Sequence, residues 1–125
     1  MLGNVFQFLR LIDSRVESMS KNDFVASIRD NELKEGQMRA VRLKGKPILL
    51  AKVAGQVYGV SNFCPHMGCS FERGILRDYI VMCPCHGWKF DVRNGQYLEI
   101  DTIKLECYPC KIQDGKIFVE IPKHA

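Results

Sequence analysis

Long hydrophobic runs are missing from these 125 residues. The longest strongly apolar stretches, such as Pro47 to Ala51, fall far short of the ~20 residues a membrane span needs, so no transmembrane span is expected. Export signals are missing too: there is no twin-arginine motif and no apolar region with a small-residue cleavage site. A cytoplasmic location is therefore expected. Charge of one sign is not concentrated anywhere. The formal net charge of +4 is mild and its positive residues are scattered, which gives no basic stripe for nucleic acid. Repeats and low-complexity segments are absent. Histidine is scarce, with three in all. His124 is read as a solvated tail residue, which leaves His66 and His86 to account for.

What remains is an ordinary globular composition: 46% hydrophobic residues and a mean hydropathy near zero. The length suits one domain with its own core and no separate catalytic domain. Six cysteines in a chain without an export signal read as metal or redox chemistry better than as a disulfide framework.

Residues 1–21 stand apart. Leu2, Val5, Phe6, Leu9, Ile12, Val16 and Met19 recur at helical spacing, with Gln7, Arg10, Asp13 and Glu17 between them. The pattern predicts an amphipathic helix with three competing uses. It can pack on the domain or on a second subunit, or touch a membrane surface peripherally, or be a dispensable extension. The polar face lacks the lysine and arginine excess that membrane-surface helices favour.

From Asn22 onward short strands alternate with turns. Phe24 to Ile28, Met38 to Leu43, Ile48 to Val53, Val57 to Val60, Lys111 to Gln113 and Ile117 to Ile121 are the expected strands. Lys44-Gly45, Ala54-Gly55 and Asp114-Gly115 are the expected turns, and Asn94-Gly95 is another, after Phe90-Asp91-Val92. Many short strands predict an all-β fold, an antiparallel sandwich or small barrel. Between about residues 62 and 92 the character changes. Cysteine, histidine, proline and glycine crowd two loops around a short hairpin (Ile75-Leu76, then Tyr79 to Val81), which reads as an inserted metal subdomain.

The loops are Cys64-Pro65-His66-Met67-Gly68 and Cys83-Pro84-Cys85-His86-Gly87. Each offers one thiolate and one imidazole, so Cys64, His66, Cys83 and His86 form a two-by-two ligand set. Soft thiolates suit iron–sulfur chemistry, and neutral imidazole adds no charge. A tetrahedral Cys2His2 zinc site competes, although zinc fingers usually group like ligands together whereas each loop here mixes them. Cys107 and Cys110 form a C-x-x-C in the closing strand. Residues three apart on an extended strand point to opposite faces, so they are read as buried, inert thiols.

The spacing C-x-H, sixteen residues, C-x-x-H resembles the Rieske iron–sulfur signature. Cys83 to Asp91 resembles the C-P-x-H-G-W-x-F-D segment of Rieske ferredoxins and ring-hydroxylating oxygenases, and the likeness extends over about Asp23 to Pro122. The resemblance implies a Rieske-type domain over residues 22–125. It implies one 2Fe–2S cluster, with Cys64 and Cys83 on one iron and His66 and His86 on the other. Met67, Gly68, Pro84, Gly87, Trp88 and Phe90 would surround it, Met67 and Pro84 as an apolar cover over the tip, Trp88 and Phe90 as core and shield. Phe63 and Phe71 are read as core residues.

Cys69 and Cys85 match the extra cysteines of the family's cytochrome bc branch, which implies a disulfide between them. That branch also has hydroxyl residues where this chain has Trp88 and Phe90, which implies a lower potential here. The implied function is one-electron transfer without substrate chemistry, from a reductase to a terminal oxygenase or respiratory acceptor. The alternatives are an electron-transfer subunit of a membrane-associated complex, a cluster-less structural subunit, and a structural zinc module.

Overall fold

Apolar alternation and two-residue turns build most of the framework. The computed structural model describes residues 22–122; the helix expected over residues 1–21 and His124 lie outside the described residues. Ten strands follow in order: β1 Asn22–Arg29, β2 Met38–Leu43, β3 Lys46–Val53, β4 Gln56–Ser61, β5 Ile75–Arg77, β6 Ile80–Met82, β7 Lys89–Asp91, β8 Cys107–Tyr108, β9 Cys110–Gln113 and β10 Lys116–Pro122. A single 3-10 turn, Asp30–Glu32, is the only helical element among the described residues. None of the described helical structure is long and apolar enough to cross a membrane.

The strands form three antiparallel sheets, ordered β1-β10-β9, β2-β3-β4-β8 and β5-β6-β7. Hairpin turns at Lys44, Ala54 and Asp114, with φ of 49°, 53° and 54°, each lead into a glycine. Both turn residues then have positive φ, the geometry that matches the right-handed twist of the flanking strands. The Glu35 carboxylate accepts hydrogen bonds from the N–H of Ala54 (2.6 Å) and Gly55 (2.9 Å), which hold its pKa down.

Strand β3 is buried on both faces. Ile48 and Leu50 join Val57, Tyr108, Ile117, Val119 and Ile121 in a core facing the first sheet. Leu49 and Ala51 point the other way, into a core with Val60, Phe71, Val81, Phe90, Val92 and Leu105. This is why Ile48 to Ala51 reads as an unbroken apolar run instead of an alternation. The four-stranded sheet is the middle layer, between the three-stranded sheet and the inserted subdomain. Leu33, in the charged connection between β1 and β2, is 1% exposed and plugs the first core.

Two expectations are corrected. Phe63 is 56% exposed instead of buried, because its ring lies over Gly68 at the loop surface. Cys107 and Cys110 do not share one strand. The chain breaks at Pro109, which lies between β8 in the middle sheet and β9 in the outer sheet. Cys107 is exposed and Cys110 is half-buried. Burial raises the Cys110 thiol to about 12, and although Cys107 is exposed as a residue, its sulfur is partly covered beside the Leu105 carbonyl and is raised as well, so neither is a ready thiolate at neutral pH.

Candidate metal centre

The two cysteine–histidine loops fold alike. In the first, the Cys64 N–H donates to the Cys69 carbonyl (3.0 Å) and the Gly68 N–H to the Cys64 carbonyl (2.7 Å). In the second, the Cys83 N–H donates to the Trp88 carbonyl (2.8 Å) and the Gly87 N–H to the Cys83 carbonyl (3.0 Å). Each turn closes on a glycine at φ 75°, a backbone conformation that a side chain would strain. The loops hang from different supports. Asn62 pins the first, its Oδ1 accepting from the Phe71 N–H (2.7 Å) and its Nδ2 donating to Ser70 Oγ (2.9 Å). Strands β6 and β7 carry the second.

This arrangement sorts the four expected ligands by depth. Cys64 and Cys83 are 0% and 2% exposed and belong to the second core, whereas His66 and His86 are exposed. Burial pushes the Cys64 thiol up, against the N–H groups of His66 and Met67 that point at its sulfur, and the neighbouring Cys83 thiol adds to the rise. The two imidazoles stand at 88° with ring centroids 4.7 Å apart.

Cys69 and Cys85 form a disulfide across the loops, with Cα atoms 6.5 Å apart. The Cys83 sulfur lies within 4.8 Å of both bridging sulfurs, a closeness set by the crosslink and not a further ligand group. Phe71 and Phe90 are fully buried, Met67 is 62% exposed, Pro84 is exposed, and Trp88 is half-buried.

Paired inner sulfurs and paired outer imidazoles fit a binuclear group with one thiolate-held and one imidazole-held metal. Each pair draws one member from each loop. N–H groups aimed at Cys64 sulfur suit a thiolate that carries charge. The fold and this donor set together define an iron–sulfur domain of the Rieske class. The chain matches the Rieske 2Fe-2S domain family over residues 23–109, and it belongs to that family.

It is 31% identical over 91 residues to the ferredoxin component of a naphthalene 1,2-dioxygenase system from Pseudomonas aeruginosa, covering 72% of this chain and 88% of that protein. It is also 31% identical over 104 residues to a Ralstonia sp. ferredoxin component of naphthalene 1,2-dioxygenase/salicylate 5-hydroxylase systems, covering 82% and 99%. The ferredoxin of carbazole 1,9a-dioxygenase from Nocardioides aromaticivorans IC177 shares the fold, with a TM-score of 0.72 and 24% identity over 77% of this chain and 95% of that one. Family membership implies a Rieske-type 2Fe–2S cluster as the cofactor.

Sequence reasoning missed several residues around the site. Tyr97, 5% exposed, bridges Phe90 across the Asn94-Gly95 turn. A hairpin drawn through that turn would have placed it there. Asp91 is buried, and its Oδ1 accepts from the Arg93 N–H (2.9 Å) and Nε (3.0 Å), its Oδ2 from Nη2 (2.7 Å). The guanidinium also lies 4.1 Å from the Tyr79 ring centroid.

The Arg93 side-chain bonds hold the Asp91 pKa below its usual value. A depressed folded-state pKa gives stability that is present above about pH 4 and lost as the pH falls through the lower folded value. Asp91→Asn is therefore expected to lower the urea midpoint at about pH 7. By about pH 2 the gap to wild type should shrink. Arg93 is half exposed, so solvent screens the ion-pair part of the effect. A gap that stays constant across the two pH values would refute this role.

Proposed function

We propose that the chain is a one-electron carrier that holds its cluster through Cys64 and Cys83 on one iron and His66 and His86 on the other. In this reading it works as the ferredoxin component of an oxygenase system, between a reductase and a terminal oxygenase, in the cytoplasm. The observation that carries the reading is the sorting of donors: two sulfurs buried together beneath two exposed imidazoles 4.7 Å apart. When bound, the cluster supplies a single electron that it accepts and releases.

The chain's own residues supply the rest. Cys64 and Cys83 sit in the apolar core, out of water. The N–H groups of His66 and Met67 favour charge on the Cys64 sulfur. The exposed edges of His66 and His86 leave a short path to a docked partner, with Met67 and Pro84 as apolar surface beside them. The relatives' own status as ferredoxin components supports a carrier role without substrate chemistry.

The test is spectroscopic and electrochemical. The dithionite-reduced protein should give the low average g value of mixed histidine–cysteine ligation. Its midpoint should lie in the lower part of the roughly −150 to +300 mV span of Rieske centres, because Trp88 and Phe90 carry no hydroxyl to stabilise the reduced state. A colourless protein containing zinc would overturn the reading, and a midpoint at the top of that span would overturn the argument from Trp88 and Phe90.

A further inference from the structure

The His66 ring has its 88° contact with His86 on one side and stacks on the Trp88 indole, at 4.5 Å between centroids and 17° between planes. Trp88 comes from the other loop, so the plane of one loop's imidazole is set by a residue of its neighbour. The indole also stacks on Tyr97, at 4.4 Å and 8°. Tyr97 is the anchored end of this three-ring stack. It is buried among the subdomain core residues, and its ring lies 5.2 Å from that of Phe90. Its N–H donates to the Ile103 carbonyl (3.0 Å), and its phenol Oη donates to the Glu99 carboxylate (2.9 Å). Glu99 and Ile103 belong to the long connection between β7 and β8, outside both cysteine–histidine loops.

We propose that Tyr97 is a positioning residue for the metal centre: through the Trp88 indole it fixes the plane of the His66 ring. The inference rests on His66 being a ligand. Bound groups stay within a narrow range of geometry only when the side chains behind them are locked by packing. His66 is exposed, and the lock on its ring comes from the stack. Loosening the stack lets the imidazole plane vary from molecule to molecule. In a frozen sample this spread of ligand fields appears as broadened EPR lines, and a freer imidazole moves the midpoint.

The test uses the full-length, cluster-loaded protein. Tyr97→Leu, which removes the ring, should broaden the EPR lines measurably and shift the midpoint at unchanged iron content. Tyr97→Phe, which keeps the ring and removes only the bond to Glu99, should restore a width close to wild type. Wild-type width and midpoint in Tyr97→Leu would overturn the proposal. Should Tyr97→Leu fail to load iron, Trp88→Leu breaks the stack at its middle. That variant must then broaden the lines, and a wild-type width there overturns the proposal equally. His66→Ala separates the two claims: if it keeps the cluster, the ligand assignment fails whatever Tyr97 does.

Discussion

His86→Ala is expected to abolish the mixed-ligand EPR signal and to lower bound iron by more than about tenfold, a loss at least as large as changes in residues supporting a metal site produce. His66→Ala should do the same. The fold should survive both changes, because neither imidazole belongs to either apolar core and both are exposed. Far-UV circular dichroism should therefore stay close to wild type while the colour is lost. His86→Cys sharpens the test. A third thiolate adds negative charge, which opposes an incoming electron, so any cluster retained should move toward the roughly −400 mV of all-cysteine plant-type ferredoxins. If either alanine variant kept the visible spectrum and midpoint of the wild type, the ligand assignment would be wrong.

Removing the crosslink should have the second-largest effect. Cys69 and Cys85 are 16 residues apart, and a loop of that size gains about 3 kcal/mol from closure in the chain-entropy treatment. The double change Cys69→Ser with Cys85→Ser should lower stability by about that amount. It should also speed cluster loss, since Cys69 follows Gly68 directly and Cys85 lies between Cys83 and His86. Chemical denaturation with the cluster in place measures the first effect, and the decay of visible absorbance under a chelator measures the second. Equal stability with and without the bridge would show that the cluster, hydrogen bonds and packing hold the loops without its help.

Much of the candidate centre is legible in the sequence alone. The cysteine–histidine spacing singled out four candidate donors, since a thiolate and an imidazole on one tight turn are local features, and the fold brings the two loops side by side. The glycine turns were local too, and the strands between them fell close to where alternation placed them. The Cys69–Cys85 bridge came from family likeness and not from the pattern itself.

What escaped was tertiary. Leu33 sits in a charged stretch, and only the assembled sheets show why one leucine there is buried. Phe63 looks like a core aromatic in isolation, but it ends on the surface above a glycine. The C-x-x-C of Cys107 and Cys110 reads as one strand until Pro109 separates it between two sheets. Tyr97 was missed because its importance depends on Trp88, which in turn matters through His66 on another loop.

The double-faced burial of β3 has a consequence for how the molecule comes apart. Ile48 and Leu50 belong to one apolar core, Leu49 and Ala51 to the other, and a strand cannot leave one without leaving both. The metal-bearing layer is therefore expected to melt together with the framework in one cooperative transition, and a ligand that clamps the two loops is expected to raise the stability of sheets it never touches.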